Sequence, residues 1–476
     1  MRTVPFGSAI LLFVCPLTAL VFAAEPTVES ASAAARKAAE FFRTKVAAEG
    51  GYLWRYSEDL SLREGETPAD AQTIWVQPPG TPAVGTALLK MFDATGDAFF
   101  LQAARDAANA LVRGQLHSGG WTYKVFFDPD KRKDVAYRSD KQRSRAFNVT
   151  TLDDNTTQSA VRFLMRIDKA LEFKDEKIHE AALFALQSLL KAQFPNGAWP
   201  QGFDQFPDAE KFPVVKANIP EDWRKQERIK AYWNYYTLND GLMYDMIDML
   251  LEGARIYDDK KILEGALKAG DFLILAQLPD PQPAWAQQYN AQMHPVWARK
   301  FEPPAVSGSE SQGVLRALML LYKETANAKY LEPIPRALDY LKRSRLSDGR
   351  LARFYELKTN KPLYFTKDYA VTYSDEDMPT HYSFKVPCNI DEIGREFEEL
   401  KKLPPEKLKA PPARPKMSDS LAAEAQAVIA ALDKDGRWVE EGKLKSARGA
   451  GPQRVIECKT FVRNLDVLSR FILAKK

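Results

Sequence analysis

The chain has 476 residues, and its 45% hydrophobic and 27% charged residues are ordinary for a globular protein with a large core. The net charge of +4 is too small to indicate a nucleic-acid partner, although a basic cleft for an acidic polymer remains compatible with it. Three cysteines are too few for a disulfide framework.

The first 23 residues have the features of a secretory signal peptide. Arg2 supplies the positive charge, residues 9–21 form a short apolar run, and Val21-Phe22-Ala23 is a suitable cleavage site. The apolar run is too short for a membrane span, and Cys15 lacks the small residues that precede a lipid-modified cysteine. We therefore predict a secreted or periplasmic protein without a membrane anchor.

Most of the remaining chain has the apolar spacing of helices. Residues recur at intervals of three and four in 33–48, 158–173, 176–193, 242–257, 261–277, 309–322 and 418–432. Strand-like alternation is scarce, and a short run such as 121–127 predicts at most a small hairpin. The pattern indicates an all-α protein with minor β-hairpins.

A weak repeat is visible when the ends of the helical segments are aligned. The strings are GGYLW, QLHSGGW, QFPNGAW, QLPDPQPAW, RLSDGRL and LDKDGRW, ending at Trp54, Trp121, Trp199, Trp285, Leu351 and Trp438. Each copy has Gly or Pro where a helix would stop. The spacing of 66 to 87 residues accommodates two helices and a loop. Stacked helical hairpins bury their faces against one another, so we predict an incompletely closed α/α toroid.

Long loops are expected to form a cleft at one end of this toroid. They are residues 120–151, 202–230, 278–308 and 351–391, and loops of such length are usually functional. Residues 403–416, LPPEKLKAPPARPK, have the composition of a linker. We therefore predict a toroid domain at 24–402 and a C-terminal helical hairpin at 417–476 that packs on it.

Two clusters of polar residues precede predicted helices. Asp153 and Asp154 lie in LDDNTTQ, and Asn239 and Asp240 lie in YYTLNDGLM. Such residues commonly cap a helix N-terminus, and this explanation stays open for both clusters. Adjacent carboxylates with an amide oxygen also suit calcium. If both helix starts face the same mouth of the toroid, the two clusters meet there.

Further motifs follow the first cluster in a fixed order. They are PNGAWPQ at 195–201, the Asn239-Asp240 pair, WAQQ at 285–288, WARKFEPP at 297–304 and RFYELKTNKP at 353–362. Over residues 153–367 the sequence resembles the pectate lyases of polysaccharide lyase family 10. The resemblance implies a secreted pectate lyase that cleaves polygalacturonate by calcium-assisted β-elimination and releases 4,5-unsaturated oligogalacturonides.

The resemblance also implies roles for individual residues. Asp153, Asp154 and Asp240 would hold Ca²⁺, and Arg299 would be the catalytic base. An arginine base is demanding, because the guanidinium pKa normally exceeds about 12 and neighbouring cations would have to disfavour its charged form. The open alternative is that Arg299 clamps a carboxylate or forms a structural ion pair with Glu302.

Substrate contacts are implied for Arg353, Lys367, Trp285, Gln288 and Trp199. A planar guanidinium at Arg353 suits bidentate pairing with a uronate carboxylate. The chain departs from the family pattern at Lys367, where the family has a second arginine. It also departs at Asn155, where the family has glycine. These departures indicate a divergent member.

Other functions compete with this interpretation. A non-catalytic protein that binds acidic polysaccharides is compatible with the departures, and a toroid glycoside hydrolase would use Asp153 and Asp240 as its two carboxylates. Triterpene cyclases share the Gln-x-x-x-Gly-x-Trp strings, but their Asp-x-Asp-Asp acid motif does not occur here. The histidines show no zinc spacing. We expect a monomer whose partner is polygalacturonate or a related polymer.

Overall fold

The computed structural model describes residues 25–141, 143–225, 228, 230–409, 413–447, 449 and 451–476. The predicted signal peptide at 1–23 therefore lies outside the described residues. Within the described part, no helix has both the length and the apolar character needed to cross a membrane.

Helices make up most of the regular structure. Those in the described residues are α1 (Val28–Phe41), α2 (Thr81–Thr95), α3 (Ala98–Arg113), α4 (Pro129–Arg132), α5 (Thr156–Ala170), α6 (Glu176–Ala192), α7 (Leu242–Tyr257), α8 (Lys260–Leu275), α9 (Glu310–Thr325), α10 (Ile334–Arg343), α11 (Ile390–Lys402), α12 (Pro405–Leu408), α13 (Asp419–Ala430) and α14 (Cys458–Lys475).

The strands are short and form small antiparallel sheets. They are β1 (Arg55–Ser57), β2 (Arg63–Glu64), β3 (Thr73–Trp75), β4 (Lys124–Phe126), β5 (Thr150–Thr151), β6 (Gly202–Phe203), β7 (Tyr236–Thr237), β8 (Gln288–Tyr289), β9 (Ala305–Ser307), β10 (Leu351–Ala352), β11 (Phe354–Glu356), β12 (Pro362–Phe365), β13 (Val371–Thr372), β14 (Lys385–Val386), β15 (Val439–Gly442) and β16 (Gln453–Glu457). The sheet order β15-β16-β1-β2 joins the C-terminal part of the chain to its N-terminal part, with Arg55 opposite Glu457.

The helices pack as an α/α toroid of hairpins. One layer runs α14, α2, α5, α7, α9 and α11, each packed on the next, and α3, α6, α8 and α10 lie outside their hairpin partners. Helices α2 and α5 approach closely, because a Cβ on Gly85 would come within 2.3 Å of the Phe163 ring. Phe163 is fully buried there, which contributes about 1.5–3 kcal/mol.

Inner and outer helices begin differently. The outer helices α3, α6 and α8 are capped by Asp97, Asp175 and Asp259 respectively. Each of these side chains accepts a hydrogen bond from a backbone N–H in the first turn of its helix. The inner helices α5 and α7 instead begin after Asn155 and Gly241, both in the left-handed region, with no side-chain cap among the described residues. Their N-termini are therefore left open toward one end of the toroid.

The repeated strings have a common structural role. The glutamine that begins a string donates its amide to the turn of its own hairpin and to the next outer helix or its start. The acceptors are backbone carbonyl oxygens: those of Gly119 and Ala181 for Gln115, of Gly197 and Gly265 for Gln193, and of Pro283 and Pro333 for Gln277. The tryptophan that ends a string is buried, and its indole N–H donates to a carbonyl of the preceding helix in Trp121, Trp199, Trp285 and Trp438. The strings thus hold successive hairpins in register.

Several details differ from the sequence-based expectations. The expected helical segments form, but α2, α3, α10 and α11 were not predicted. Strand β4 forms inside 121–127 as expected, yet it pairs with the distant β3 and not in a local hairpin. The predicted linker at 403–416 contains the short helix α12, which Pro405 starts at a position that suits its fixed φ.

The C-terminal helices pack on the N-terminal ones, and the two cysteines in the described residues are not paired. Helix α14 packs on α2 and α1, and α13 packs on α14, so this part adjoins the N-terminal hairpins. Cys388 and Cys458 are both free thiols, and Cys458 is buried.

Candidate active site

Two backbone segments at the starts of α5 and α7 have the same conformation. Asp154 and Asp240 both lie in the left-handed region, with φ of 48° and 51°, and each is followed by a second left-handed residue, Asn155 or Gly241. Non-glycine residues adopt this region at a cost and often at functional sites. Asp154 and Asp240 therefore occupy equivalent positions in successive repeats.

The residues before them are equivalent as well. Asp153 and Asn239 each donate their backbone N–H to a threonine hydroxyl two positions earlier, at 3.2 and 3.1 Å. This turn directs consecutive side chains toward the cleft and leaves none of them as the helix cap. The capping explanation left open by the sequence is thus wrong for Asp153, Asp154 and Asp240.

The toroid brings the three predicted metal ligands together. One carboxylate oxygen from each of Asp153, Asp154 and Asp240 lies within 4.8 Å of the other two. Asp154 and Asp240 reach solvent, and Asp153 is half-buried. Three hard anionic oxygens converging in this way fit the ligand set of a calcium ion.

A side-chain amide donates to each of four carboxylates in this region. The amide N–H bonds run from Gln77 to Asp154 (2.8 Å), from Gln201 to Asp153 (2.7 Å), from Asn239 to Asp240 (2.6 Å) and from Gln287 to Glu302 (2.9 Å). Tyr123 donates a second hydrogen bond to Asp153, at 2.8 Å. Because neutral donors fix the three aspartates without neutralising them, the negative charge of the aspartates remains available to a cation.

The cluster is electrostatically strained without a cation. Burial raises the pKa of Asp154 to about 6, helped by the negative charges of Asp153 and Glu66. Burial likewise raises the pKa of Asp240 to about 7, followed by the effects of Glu310, Asp153 and Asp154. The side chains touch solvent but protein surrounds them, so like charges repel through a medium less polar than water. A bound divalent cation would remove this repulsion.

This repulsion predicts a pH-dependent stability in the presence of a chelator. The folded-state pKa values of Asp154 and Asp240 lie above the ordinary aspartate value of 3.8, so the folded protein binds more protons between these values. The stabilising contribution is complete below pH about 4 and is lost as the pH rises through about 6 and 7. We expect the melting temperature to fall from pH 5 to pH 8 by less in an Asp154→Asn/Asp240→Asn variant than in the wild type. An equal fall of the melting temperature in both proteins, measured by calorimetry, would contradict the raised pKa values of Asp154 and Asp240.

Arg299 is held by Glu302. Its side chain donates two hydrogen bonds to the two Glu302 carboxylate oxygens, at 2.8 and 2.5 Å, and its backbone N–H donates a third. Burial alone would lower the pKa of the guanidinium, but the Glu302 carboxylate outweighs it and raises that pKa. The ion pair considered from the sequence is therefore present. The expected surplus of neighbouring cations is not seen among the described residues, and the role of Arg299 as base stays a prediction.

Arg353 lies beside a second buried acid. Its Nη1 is 3.6 Å from a carboxylate oxygen of Glu310, its Nε–H donates to the Ser383 carbonyl at 2.8 Å, and its guanidinium covers the Tyr382 ring at 4.7 Å. The Arg353 charge partly offsets the rise in the Asp240 pKa, which is consistent with a cation close to the acidic cluster. With no further protein acceptor among the described residues, its outer N–H groups can receive a carboxylate.

The structure corrects three of the predicted substrate contacts. Trp199 and Trp285 are completely buried, and Gln288 is 2% exposed. The two indoles serve the hairpin contacts described above, and Gln288 lies in β8 against β7. The two tryptophans therefore end their strings because they hold the hairpins together, and they do not form a sugar-binding surface. Lys367 is exposed and pairs with Asp377 at 2.9 Å, without a contact to the other predicted site residues in the described structure.

A matched pair of substitutions tests this correction. Trp199→Phe removes the indole N–H and leaves the Leu189 carbonyl without its donor, which should destabilise the fold by roughly 1–3 kcal/mol. The same change at Trp233, which is 45% exposed, should alter stability by at most about 0.5 kcal/mol. Urea unfolding measures both, and KM should be unchanged in Trp199→Phe. A large rise of KM in that variant would restore the substrate role.

The sequence-based reasoning missed several residues that build the site. Gln201, Tyr123 and Glu310 contact or border the predicted ligands. The repeat contained a signal for two of them, because the second residue after four of the six strings lies at the site. This position holds Tyr123, Gln201, Gln287 and Arg353. No comparable signal existed for Gln77, which lies more than 70 residues before the first acidic cluster at Asp153.

Comparisons with known proteins identify the family that one segment of the chain resembles. A pectic acid lyase family model matches residues 115–348. A family 10 polysaccharide lyase of Cellvibrio cellulosa is 21% identical over 65% of this chain and 98% of its own, with a TM-score of 0.47. A mutant of that enzyme in complex with trigalacturonic acid is 19% identical over 67% and 98%, also with a TM-score of 0.47.

Other similar structures come from enzymes acting on other sugars. A glycoside hydrolase family 76 α-mannanase of Bacteroides thetaiotaomicron is 10% identical, covers 94% of this chain and 96% of its own, and has a TM-score of 0.43. No curated protein sequence matches the chain. The family match contains the acidic cluster, the amides Gln201, Asn239 and Gln287, and the Arg299–Glu302 pair. The chain is accordingly a polysaccharide lyase, and its segment 115–348 belongs to the pectic acid lyases of polysaccharide lyase family 10.

Proposed function

We propose that the protein cleaves polygalacturonate by calcium-assisted β-elimination. The observation that carries the proposal is the convergence of Asp153, Asp154 and Asp240 from two separate helix starts. Two arginines, Arg299 and Arg353, have charges that act on the same acidic cluster. A site that combines a cation-binding cluster with guanidinium groups suits a polymer with a carboxylate on every sugar.

The donor set fits calcium. All three ligands are carboxylates, whereas softer metals prefer imidazole or thiolate ligands. The raised pKa values of Asp154 and Asp240 indicate a surplus of negative charge that a divalent cation would relieve. When bound, calcium would neutralise the substrate carboxylate and thereby make the C5 proton more acidic. Asp154 and Asp240, which are equivalent in the repeat, would be the principal ligands, and Asp153 would complete the set.

The protein's own residues orient the polymer. Arg353 would pair with a uronate carboxylate through the outer edge of its guanidinium, while the Tyr382 ring and the Ser383 carbonyl hold its inner edge. Glu310, with a carboxylate oxygen 3.6 Å from Arg353 Nη1, helps to hold this guanidinium in place. The substrate is thus fixed by its carboxylates, which explains why an exposed tryptophan platform is not needed at Trp199 or Trp285.

Elimination then requires a base at C5. We assign this role to Arg299 from the family resemblance. The C5–H bond breaks and its proton passes to the base, the released electron pair forms the C4=C5 double bond, and the C4–O4 bond breaks. The departing oxygen takes a proton from solvent. Because Glu302 raises the pKa of Arg299, the neutral base forms only at alkaline pH, and the activity should increase toward that range.

The proposal is tested by incubating the purified protein with polygalacturonate at alkaline pH. A rise in the ultraviolet absorbance of the unsaturated product, present with calcium and absent with chelator, is the expected result. New reducing ends without that absorbance would identify a hydrolase instead. Retained binding without any product would identify a non-catalytic polysaccharide-binding protein.

We also propose that the protein acts outside the cytoplasm as a monomer. The n-region, apolar run and cleavage site within residues 1–23 support export, and an external polymer is a substrate that an exported enzyme can reach. Expression with and without these residues, followed by cell fractionation, tests the export. Light scattering of the purified protein tests the oligomeric state.

A further inference from the structure

Gln77 is outside the family-matched segment but contacts its acidic cluster. It lies between β3 and α2, is 7% exposed, and donates its side-chain amide to Asp154 Oδ2 at 2.8 Å. This is the one hydrogen bond to the Asp154 carboxylate among the residues that the structure describes. The other Asp154 oxygen is therefore left for a cation.

The orientation of this amide is determined by chemistry. An indole N–H can only donate, and the Trp75 indole N–H lies 3.1 Å from Gln77 Oε1. The oxygen of the Gln77 amide must therefore face Trp75, and its NH₂ group must face Asp154. The backbone of Gln77 is held too, because its carbonyl accepts the Trp54 indole N–H at 2.9 Å.

The other amides of the site lack this restraint. The side-chain oxygens of Gln201, Asn239 and Gln287 are buried and have no hydrogen-bond partner in the described structure. Each of these residues donates to its carboxylate, but no protein donor fixes the opposite end of its amide. Gln77 alone among the four is thus tied on both sides by the described residues.

We propose that Gln77 is a positioning residue of the metal site, supplied by the N-terminal hairpin. By holding one oxygen of Asp154, it aims the other at Asp153 and Asp240. It also stabilises a carboxylate whose backbone adopts the left-handed conformation. The N-terminal residues before position 115 are then part of the working site and not only of the scaffold. The inference rests on the proposed calcium site.

The test compares calcium binding in two glutamine variants. Gln77→Met keeps the approximate volume and removes the amide donor. Gln193→Met is the matched control, because Gln193 is also buried but donates only to the backbone carbonyls of Gly197 and Gly265. Isothermal titration with calcium alone should show about 10- to 100-fold weaker binding in Gln77→Met and unchanged binding in Gln193→Met.

Activity supplies a second readout that distinguishes positioning from folding. The calcium concentration for half-maximal activity should rise in Gln77→Met, while kcat at saturating calcium recovers. Trp75→Phe, which removes the donor that orients the amide, should give a smaller shift in the same direction. If Gln77→Met does not fold, the calcium affinity of Trp75→Phe tests the positioning role in its place.

The outcomes separate this inference from the proposed function. If the wild-type protein binds no calcium, the proposed metal site is wrong, and the role of Gln77 is rejected with it. If the wild type binds calcium and both Gln77→Met and Trp75→Phe bind it equally well, the metal site stands and the positioning role is overturned. A loss of affinity in Gln193→Met equal to that in Gln77→Met would also overturn it, since the effect would then be general.

Discussion

Replacing Asp240 by asparagine is expected to reduce lyase activity and calcium affinity by at least roughly 100-fold. Even changes to residues that merely support a metal ligand cost 10- to 100-fold, and loss of a direct carboxylate ligand should cost no less. Asp240 is the one member of the cluster contributed by the turn before α7. Asparagine keeps the shape and removes the charge, so the effect measures electrostatics rather than packing.

Asp245→Asn is the matched control on the same helix. Asp245 also has its pKa raised to about 6 by burial, yet it is not one of the three converging ligands. We expect near wild-type calcium binding in this variant, measured by isothermal titration, and near wild-type activity, measured by product absorbance. Equal losses in the two variants would show that negative charge on α7 matters in general. Full activity in Asp240→Asn would reject the proposed ligand.

The second large effect is expected at Arg299. Arg299→Ala should lower kcat/KM by about 10²- to 10⁴-fold, the range for loss of a general base. This variant also leaves Glu302 buried without its cation, so its stability must be measured beside its activity. Glu302→Gln gives a test that does not remove the arginine.

The direction of the Glu302→Gln effect follows from the ion pair. The Glu302 carboxylate raises the pKa of Arg299, so its neutralisation lowers that pKa. A base acts in its deprotonated form, and the rising limb of the plot of kcat/KM against pH should therefore move to lower pH. Glu252 on α7 is the corresponding ion-pair partner of Arg166 on α5. The control variant Glu252→Gln should therefore leave the rising limb of the pH profile in place. An unmoved limb with a raised KM in Glu302→Gln would assign Arg299 to substrate clamping.

The sequence by itself determined the fold class, and it predicted the three aspartates that the structure brings together. Apolar spacing and the repeated strings ending at Trp121, Trp199 and Trp285 were sufficient to predict stacked helical hairpins, because the buried face of a helix follows from the spacing of apolar residues within that helix. The three aspartates were recognisable because two polar clusters preceded helices. The Arg299–Glu302 pair was also predictable, since the two residues are three positions apart.

Other features were decided only by the tertiary structure. The tryptophans that ended the strings were predicted as sugar contacts, but burial between hairpins made them structural donors. Asp154 proved equivalent to Asp240 through its left-handed backbone, which a residue pattern does not specify. The contact between Gln77 and Asp154 joins residues 77 positions apart. Local sequence encodes helix faces and turns, whereas the meeting of distant carboxylates and amides depends on how the successive hairpins pack against one another.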